Sequence, residues 1–143
     1  MADSTPCSVH CAVEPALPVD EFQRVLVESG LGAIRPIDDR PRLQKMLDAA
    51  DLVLVARRGG PDGEIVGVAR AITDFSWCAY LSDLAVCGSA QGLGVGHALL
   101  DEARRQLGPQ VSLVLLSVPE AVGFYERAGM AHVADAFWYR RTR

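Results

Sequence analysis

The sequence predicts an α/β (α+β) domain: one mixed central sheet of six to seven strands, flanked by about four helices. Three observations carry this expectation. Two β runs, residues 52–57 (LVLVAR) and 64–72 (EIVGVARAI), flank the turn Gly59-Gly60-Pro61-Asp62-Gly63, which predicts a hairpin. Residues 80–100 (YLSDLAVCGSAQGLGVGHALL) read as strand, glycine-rich loop and amphipathic helix in succession. Residues 111–118 (VSLVLLSV) are almost wholly apolar, the pattern of a strand buried on both faces and paired in parallel through the crossover helix before it.

The remaining elements follow in chain order. Residues 1–7 look untethered, and residues 8–13 (SVHCAV) alternate as a first strand that Pro15 and Pro18 end. Residues 19–29 place Phe22, Val25, Leu26 and Ser29 at helical spacing, and Gly30 and Gly32 mark the end of that helix. Ile34-Arg35-Pro36-Ile37 is extended because proline disfavours helix in the residue before it. Asp38 or Asp39 caps a second helix, with Pro41 in its first turn, Leu43, Met46 and Leu47 as its apolar stripe, and Asp51 closing it. Residues 77–86 make the fourth strand. In the following helix Leu99, Leu100, Ala103 and Leu107 form the stripe, and Gly108-Pro109 stops it. Residues 119–128 are a short helix, and residues 131–140 (AHVADAFWYR) a closing strand or hairpin. With no repeat and no linker, residues 1–143 are expected to form one domain.

Composition narrows the class. Half of the 143 residues are apolar and 22% are charged, a soluble globular balance. No apolar stretch approaches a membrane span, and the N-terminus lacks the basic region of an export signal. A net charge of −4 argues against a nucleic-acid partner. Cys7 and Cys11 have no matching second pair, so no metal site is expected. Cys7, Cys11, Cys78 and Cys87 are expected as reduced thiols in a cytoplasmic protein.

The chemistry centres on the glycine loop. Glycines let an anion approach the backbone, and the first N–H groups of a helix have no intrahelical acceptor, so strand, loop and helix start together suit a phosphate. A nucleotide P-loop needs Lys and Ser/Thr where His97 and Ala98 stand. The dinucleotide fingerprint needs GxGxxG after an early strand; here the spacing is GxGxG after a late one. What remains is Gln-x-x-Gly-x-Gly, met by Gln91, Gly94 and Gly96 behind Leu84-Ala85-Val86. This segment resembles the coenzyme A pyrophosphate loop of the GNAT superfamily of acyl-CoA N-acyltransferases. A second segment, residues 121–130 (AVGFYERAGM), is similar to that family's A-x-x-F-Y-E-K-x-G-F element and stands in the family's order. The resemblance covers residues 81–130. It departs at Val118, where the family commonly has Asn, with Ser117 beside it, and at Met130 in place of Phe.

The resemblance implies the GNAT fold with a mostly antiparallel sheet, and acetyl transfer from acetyl-CoA to a primary amine by direct attack in a ternary complex. It implies that backbone groups of Leu84, Ala85 and Val86 hold the pantetheine arm and polarise the thioester. It further implies that Gln91, Gly92, Leu93, Gly94, Val95, Gly96 and His97 hold the pyrophosphate. Tyr125 is the expected general acid for the departing thiolate; the alternative is a tyrosine that only packs. Asp83, an acid within an apolar run, is the candidate base, or else a solvent-facing strand residue. Tyr80 or Ser82, and among the aromatics Phe75, Trp77 and Trp138, are candidates to shape the acceptor pocket. His97 reads as a helix-start residue beside phosphate, and His10 and His132 as structural or surface groups. A non-catalytic acyl-CoA-binding module of the same fold is the competing reading. The acceptor is open: a small-molecule amine (arylalkylamine, polyamine, amino acid or antibiotic) or a protein amine, with the acidic balance favouring small cations. A homodimer through the C-terminal strands is expected from the fold.

Overall fold

The computed structural model describes residues 9–143. The expected loose residues 1–7 and Cys7 lie outside the described residues. Five strands form one sheet in the order of the chain: β1 (Val9–Val13), β2 (Leu52–Arg58), β3 (Ile65–Thr73), β4 (Cys78–Val86) and β5 (Ser112–Val114). The first three pairings are antiparallel, and β4 with β5 is parallel. Helices α1 (Val19–Ser29) and α2 (Arg40–Ala49) cover one face, and α3 (Val95–Leu107) covers the other. A short α4 (Val122–Arg127) follows a 3₁₀ turn at Pro119–Ala121.

Local chemistry accounts for the helix ends. Gly30 takes φ 87° at the C-terminus of α1, a left-handed conformation that costs a residue without Cβ little. Asp39 caps α2 by accepting from the Arg42 backbone N–H at 3.1 Å. Asp51 lies past that helix and instead accepts from the Thr73 N–H at 2.8 Å. Ile34 ends a 3₁₀ turn, Leu31–Ile34, so the extended stretch expected from Ile34 begins only at Arg35. The α1–α2 core contains Phe22, Leu26 and Leu43, all fully buried against Val55 and Val68 of the sheet. On the other face, Leu99 and Ala103 of α3 pack on Leu54 and Ala69. Helix α3 comes this close because β3 has Gly67 beneath it. A Cβ there would lie 2.9 Å from Leu99 Cδ1 and 3.0 Å from Val95 Cγ1.

Two expectations are corrected. The sheet has five strands, not six to seven, because residues 131–140 have no strand alongside; a β pattern forms a strand only when a neighbouring edge accepts its hydrogen bonds. Phe137 and Tyr139 in that segment are almost fully exposed. The run 111–118 is strand only over Ser112–Val114, and it is not buried on both faces. Leu113 and Leu115 pack on the α3 core, whereas Val114 and Leu116 are about half exposed. No helix among the described residues is long and apolar enough to cross a membrane.

Candidate active site

Strand β4 organises the site through a bulge. Arg70 of β3 pairs with Asp83, but the next residue, Ala71, pairs with Leu81, so Ser82 is the extra residue on β4. An extra residue reverses the alternation of faces. Before the bulge Ala79 and Leu81 point to the α3 core; after it Leu84 and Val86 do, while Ala85 and Cys87 join the α1–α2 core.

Strands β4 and β5 then part. Their pairing runs from Cys78↔Ser112 to Tyr80↔Val114 and stops. Beyond it lies a cleft of about 1120 Å³. Leu81, Ser82 and Leu84 line one wall, Leu115 and Ser117 the other, and Tyr125 of α4 reaches the same space. The β4 backbone beyond Tyr80 has no β5 partner, so it presents a free edge to whatever enters. Both Tyr80 and Ser82 line the cleft, as does Trp138; the exposed Phe75 and Trp77 do not. Burial raises the Tyr125 phenol above its ordinary range, so it remains a protonated donor at neutral pH. Ser117, beside Val118, directs its hydroxyl to the Val118 carbonyl at 2.7 Å.

The glycine loop lies at the far end of β4. Gly92 and Gly94 adopt φ 83° and 81°, and Gly94 is the residue from which α3 starts. Gly92, Leu93, Gly94 and His97 are exposed, and Val95 is buried as the anchor. The first N–H groups of α3 thus lead into solvent without an intrahelical acceptor. Gln91 turns its amide inward, donating from Nε2 to the Val86 carbonyl at 3.0 Å, which ties the loop to the strand end. Gly96 lets the two motif segments meet: a Cβ there would lie 3.0 Å from Phe124 Cζ. The Phe124 ring also lies 4.6 Å from the His97 ring and 5.0 Å, edge-on, from Tyr125. Loop and candidate acid are therefore coupled through one aromatic side chain.

Asp83 has other partners than a substrate. Its side chain is fully buried; Arg35 Nε donates to one oxygen at 2.6 Å and Arg70 Nε to the other at 2.5 Å. The same guanidinium groups donate to the bulged residue, Arg35 to the Ser82 carbonyl and Arg70 to its hydroxyl. Both oxygens are taken by guanidinium donors and the side chain does not line the cleft, so nothing places it against a substrate. Sequence reasoning overlooked Arg35 and Arg70, since arginines in a helix connection and a strand carry no motif. It also overlooked Glu120, the only carboxylate among the described residues that line the cleft. His132 Nε2 lies 2.9 Å from the Glu126 carboxylate, away from these groups. No group of three or more metal-ligating side chains converges among the described residues.

The family model of the acetyltransferase (GNAT) domain matches residues 33–138. The chain belongs to the GNAT acetyltransferase family. That assignment agrees with the glycine loop and the Phe124-Tyr125-Glu126 element meeting at the Phe124 ring. The GNAT chain is 35% identical over 104 residues to a chloroplastic serotonin N-acetyltransferase 2 of Oryza sativa subsp. japonica, covering 71% of this chain and 52% of that protein. It spans about half the length of the curated relatives it matches. A crystal structure from Deinococcus radiodurans R1, assigned to the acetyltransferases, superposes with a TM-score of 0.74 at 25% identity, covering 99% of this chain and 94% of that one. Aminoglycoside N-acetyltransferase AAC(6')-Iy, solved in complex with CoA, shares the fold with a TM-score of 0.69 at 16% identity, over 95% of this chain and 96% of that one.

Proposed function

We propose that this GNAT chain transfers an acetyl group from acetyl-CoA to a primary amine by direct attack in a ternary complex. The observation that carries the proposal is the parting of β4 from β5 next to Tyr125, with an exposed helix N-terminus at the end of the same strand. Backbone groups from Gly92 to His97 hold the pyrophosphate, and Gln91 holds the loop in place for them. The pantetheine arm lies against the free edge of Leu84, Ala85 and Val86, where a backbone N–H meets the thioester oxygen as charge develops on it. The amine attacks the carbonyl carbon, and the C–S bond breaks. Tyr125 supplies the proton to the departing sulfur. A buried phenol is a weaker acid than the thiol it protonates, so its contribution comes from contact geometry. The amine's own proton leaves through water to Glu120. Asp83 holds the bulge in shape through Arg35 and Arg70.

The three described thiols, Cys11, Cys78 and Cys87, are free, the state that a cytoplasmic setting preserves. The exposed Phe137 and Trp138 motivate the expectation of a homodimer, which sedimentation of the purified protein checks: a monomer at all concentrations removes it.

The decisive assay is thiol release from acetyl-CoA over a panel of amines, with Tyr125→Phe alongside. General acid catalysis typically contributes about 10²–10⁴-fold, so the variant is expected to lose about 100-fold in kcat while binding coenzyme A as before. Burial raises the Tyr125 phenol, so loss of rate through its deprotonation is expected only above the ordinary tyrosine range in a pH–rate profile. An unchanged rate in Tyr125→Phe rejects the acid assignment. Tight coenzyme A binding without thiol release from any amine supports instead a non-catalytic binding module, a reading to which Val118 gives some support.

A further inference from the structure

The cleft has a charge that the chain as a whole does not. The net charge is −4, yet Arg35, Arg42, Arg70, Arg140 and Arg141 line the cleft, with Glu120 as the sole acidic side chain among the described residues. Asp83 lies buried behind the wall and offsets only one of its two arginine partners. A second hollow of about 400 Å³ shares Arg35, Arg42 and Arg141 with the cleft. Among the described residues, the other charged side chain that lines it is Arg143. Arg42 and Arg141 pair with no acidic side chain among the described residues. The Arg42 guanidinium makes one long hydrogen bond, to a main-chain oxygen of Arg143 at 3.4 Å. Two forked donors beside a concave space, with no acidic side chain paired to them, suit an oxyanion.

The oxyanion is not the cofactor's. No residue of the loop 91–97 lines either hollow. The arginines stand in the α1–α2 connection (Arg35), the first turn of α2 (Arg42), β3 (Arg70) and the C-terminal segment (Arg140 and Arg141), and they share the cleft with Tyr80 rather than with the loop at the far end of β4. We infer that the acceptor is an amine carrying its own oxyanion, a carboxylate or a phosphate, which Arg42 and Arg141 hold so that the amine points to Tyr125. This rests on the acetyltransferase reading above, and it reverses the expectation of a small cationic acceptor. A polycationic amine would meet arginines where it needs acids. Trp138 and Tyr80 on the cleft wall provide an apolar surface for the body of such a molecule.

The test uses matched amines. Tryptophan and tryptamine differ by one carboxylate, O-phosphoethanolamine and ethanolamine by one phosphate, and 1,3-diaminopropane supplies a second cation. With acetyl-CoA saturating, the oxyanion member of at least one pair is expected to have a kcat/KM at least about tenfold above its partner, the size of a charge-assisted contact. Which pair responds distinguishes carboxylate from phosphate. Arg42→Ala with Arg141→Ala should remove that preference and leave the KM for acetyl-CoA as it was. Equal or better turnover of tryptamine, ethanolamine and diaminopropane overturns the inference and leaves the acetyltransferase reading intact. A raised KM for acetyl-CoA in the double variant also overturns it, since the arginines would then serve the cofactor. If no amine is turned over, the acetyltransferase reading fails. Calorimetry on the coenzyme A-saturated protein then decides: binding of tryptophan or O-phosphoethanolamine, but not of its partner, supports the inference, and no difference overturns it.

Discussion

Asp83→Asn separates the two roles open to this carboxylate. In the wild type its side chain is fully buried between Arg35 and Arg70, which are themselves only 16% and 8% exposed. Asparagine keeps the shape and one oxygen acceptor but turns an NH₂ group toward the other guanidinium. That leaves cationic charge buried without its counter-ion. Breaking a buried ion pair by removing one partner costs about 3–5 kcal/mol, and the retained oxygen places this variant near about 3 kcal/mol. With an unfolding entropy of about 2.1 cal/mol/K per residue, a chain of 143 residues loses roughly 3 °C in Tm per kcal/mol. The expected fall is about 10 °C, read by thermal unfolding followed by circular dichroism. Turnover should fall through both KM and kcat, because Ser82 loses its anchor where the cleft begins. Asp83→Leu combined with Arg70→Met should recover part of the stability, because it leaves one guanidinium, Arg35, without its counter-ion rather than two. A melting temperature within about 2 °C of wild type, together with a collapse of kcat alone, would refute this reasoning and return Asp83 to the role of base.

Gly96→Ala places a methyl 3.0 Å from Phe124 Cζ, so the ring must shift by a few tenths of an ångström and carry Tyr125 with it. We expect stability within about 1 kcal/mol of wild type and a larger loss in kcat and coenzyme A affinity, read by turnover and calorimetry; unchanged turnover would show that the Phe124 contact does not link loop and acid. Gly67→Ala instead pushes a methyl to 2.9 Å from the fully buried Leu99. Overpacking there should cost about 1–3 kcal/mol in denaturant unfolding, and a variant as stable as wild type would show that α3 has room to lift.

Much of this protein is readable before folding is considered. The span of α1 agrees with its apolar spacing and closing glycine, and the Asp39 cap of α2 is visible as a residue type in front of a helix with Pro41 in its first turn. The hairpin of β2 and β3 follows from the glycine-rich turn between them. The glycine loop and the Phe124-Tyr125-Glu126 segment are legible for the same reason: turns, caps and helix starts depend on residues near one another in the chain. These local determinants settle which elements exist, where most of them stop, and to which family the chain belongs.

What faces what is decided elsewhere. The bulge at Ser82 has no signature in the alternation of β4, and it alone sends Leu84 to the cleft and Asp83 toward Arg35, 48 residues away. The apolar run 111–118 promised a fully buried strand, but burial on the second face requires a layer that α1 and α2 do not extend over Val114 and Leu116. The pattern of residues 131–140 promised another strand, and no edge receives it. The arginines of the cleft come from a helix connection, α2, β3 and the C-terminal segment, each unremarkable in its own context. At Gln91 to Gly96 the local pattern prepares a helix N-terminus for an anion. The free β4 edge, Tyr125 and the charge at the other end of the cleft are brought together only by folding, because cross-strand register and electrostatic surroundings depend on residues far apart in the chain.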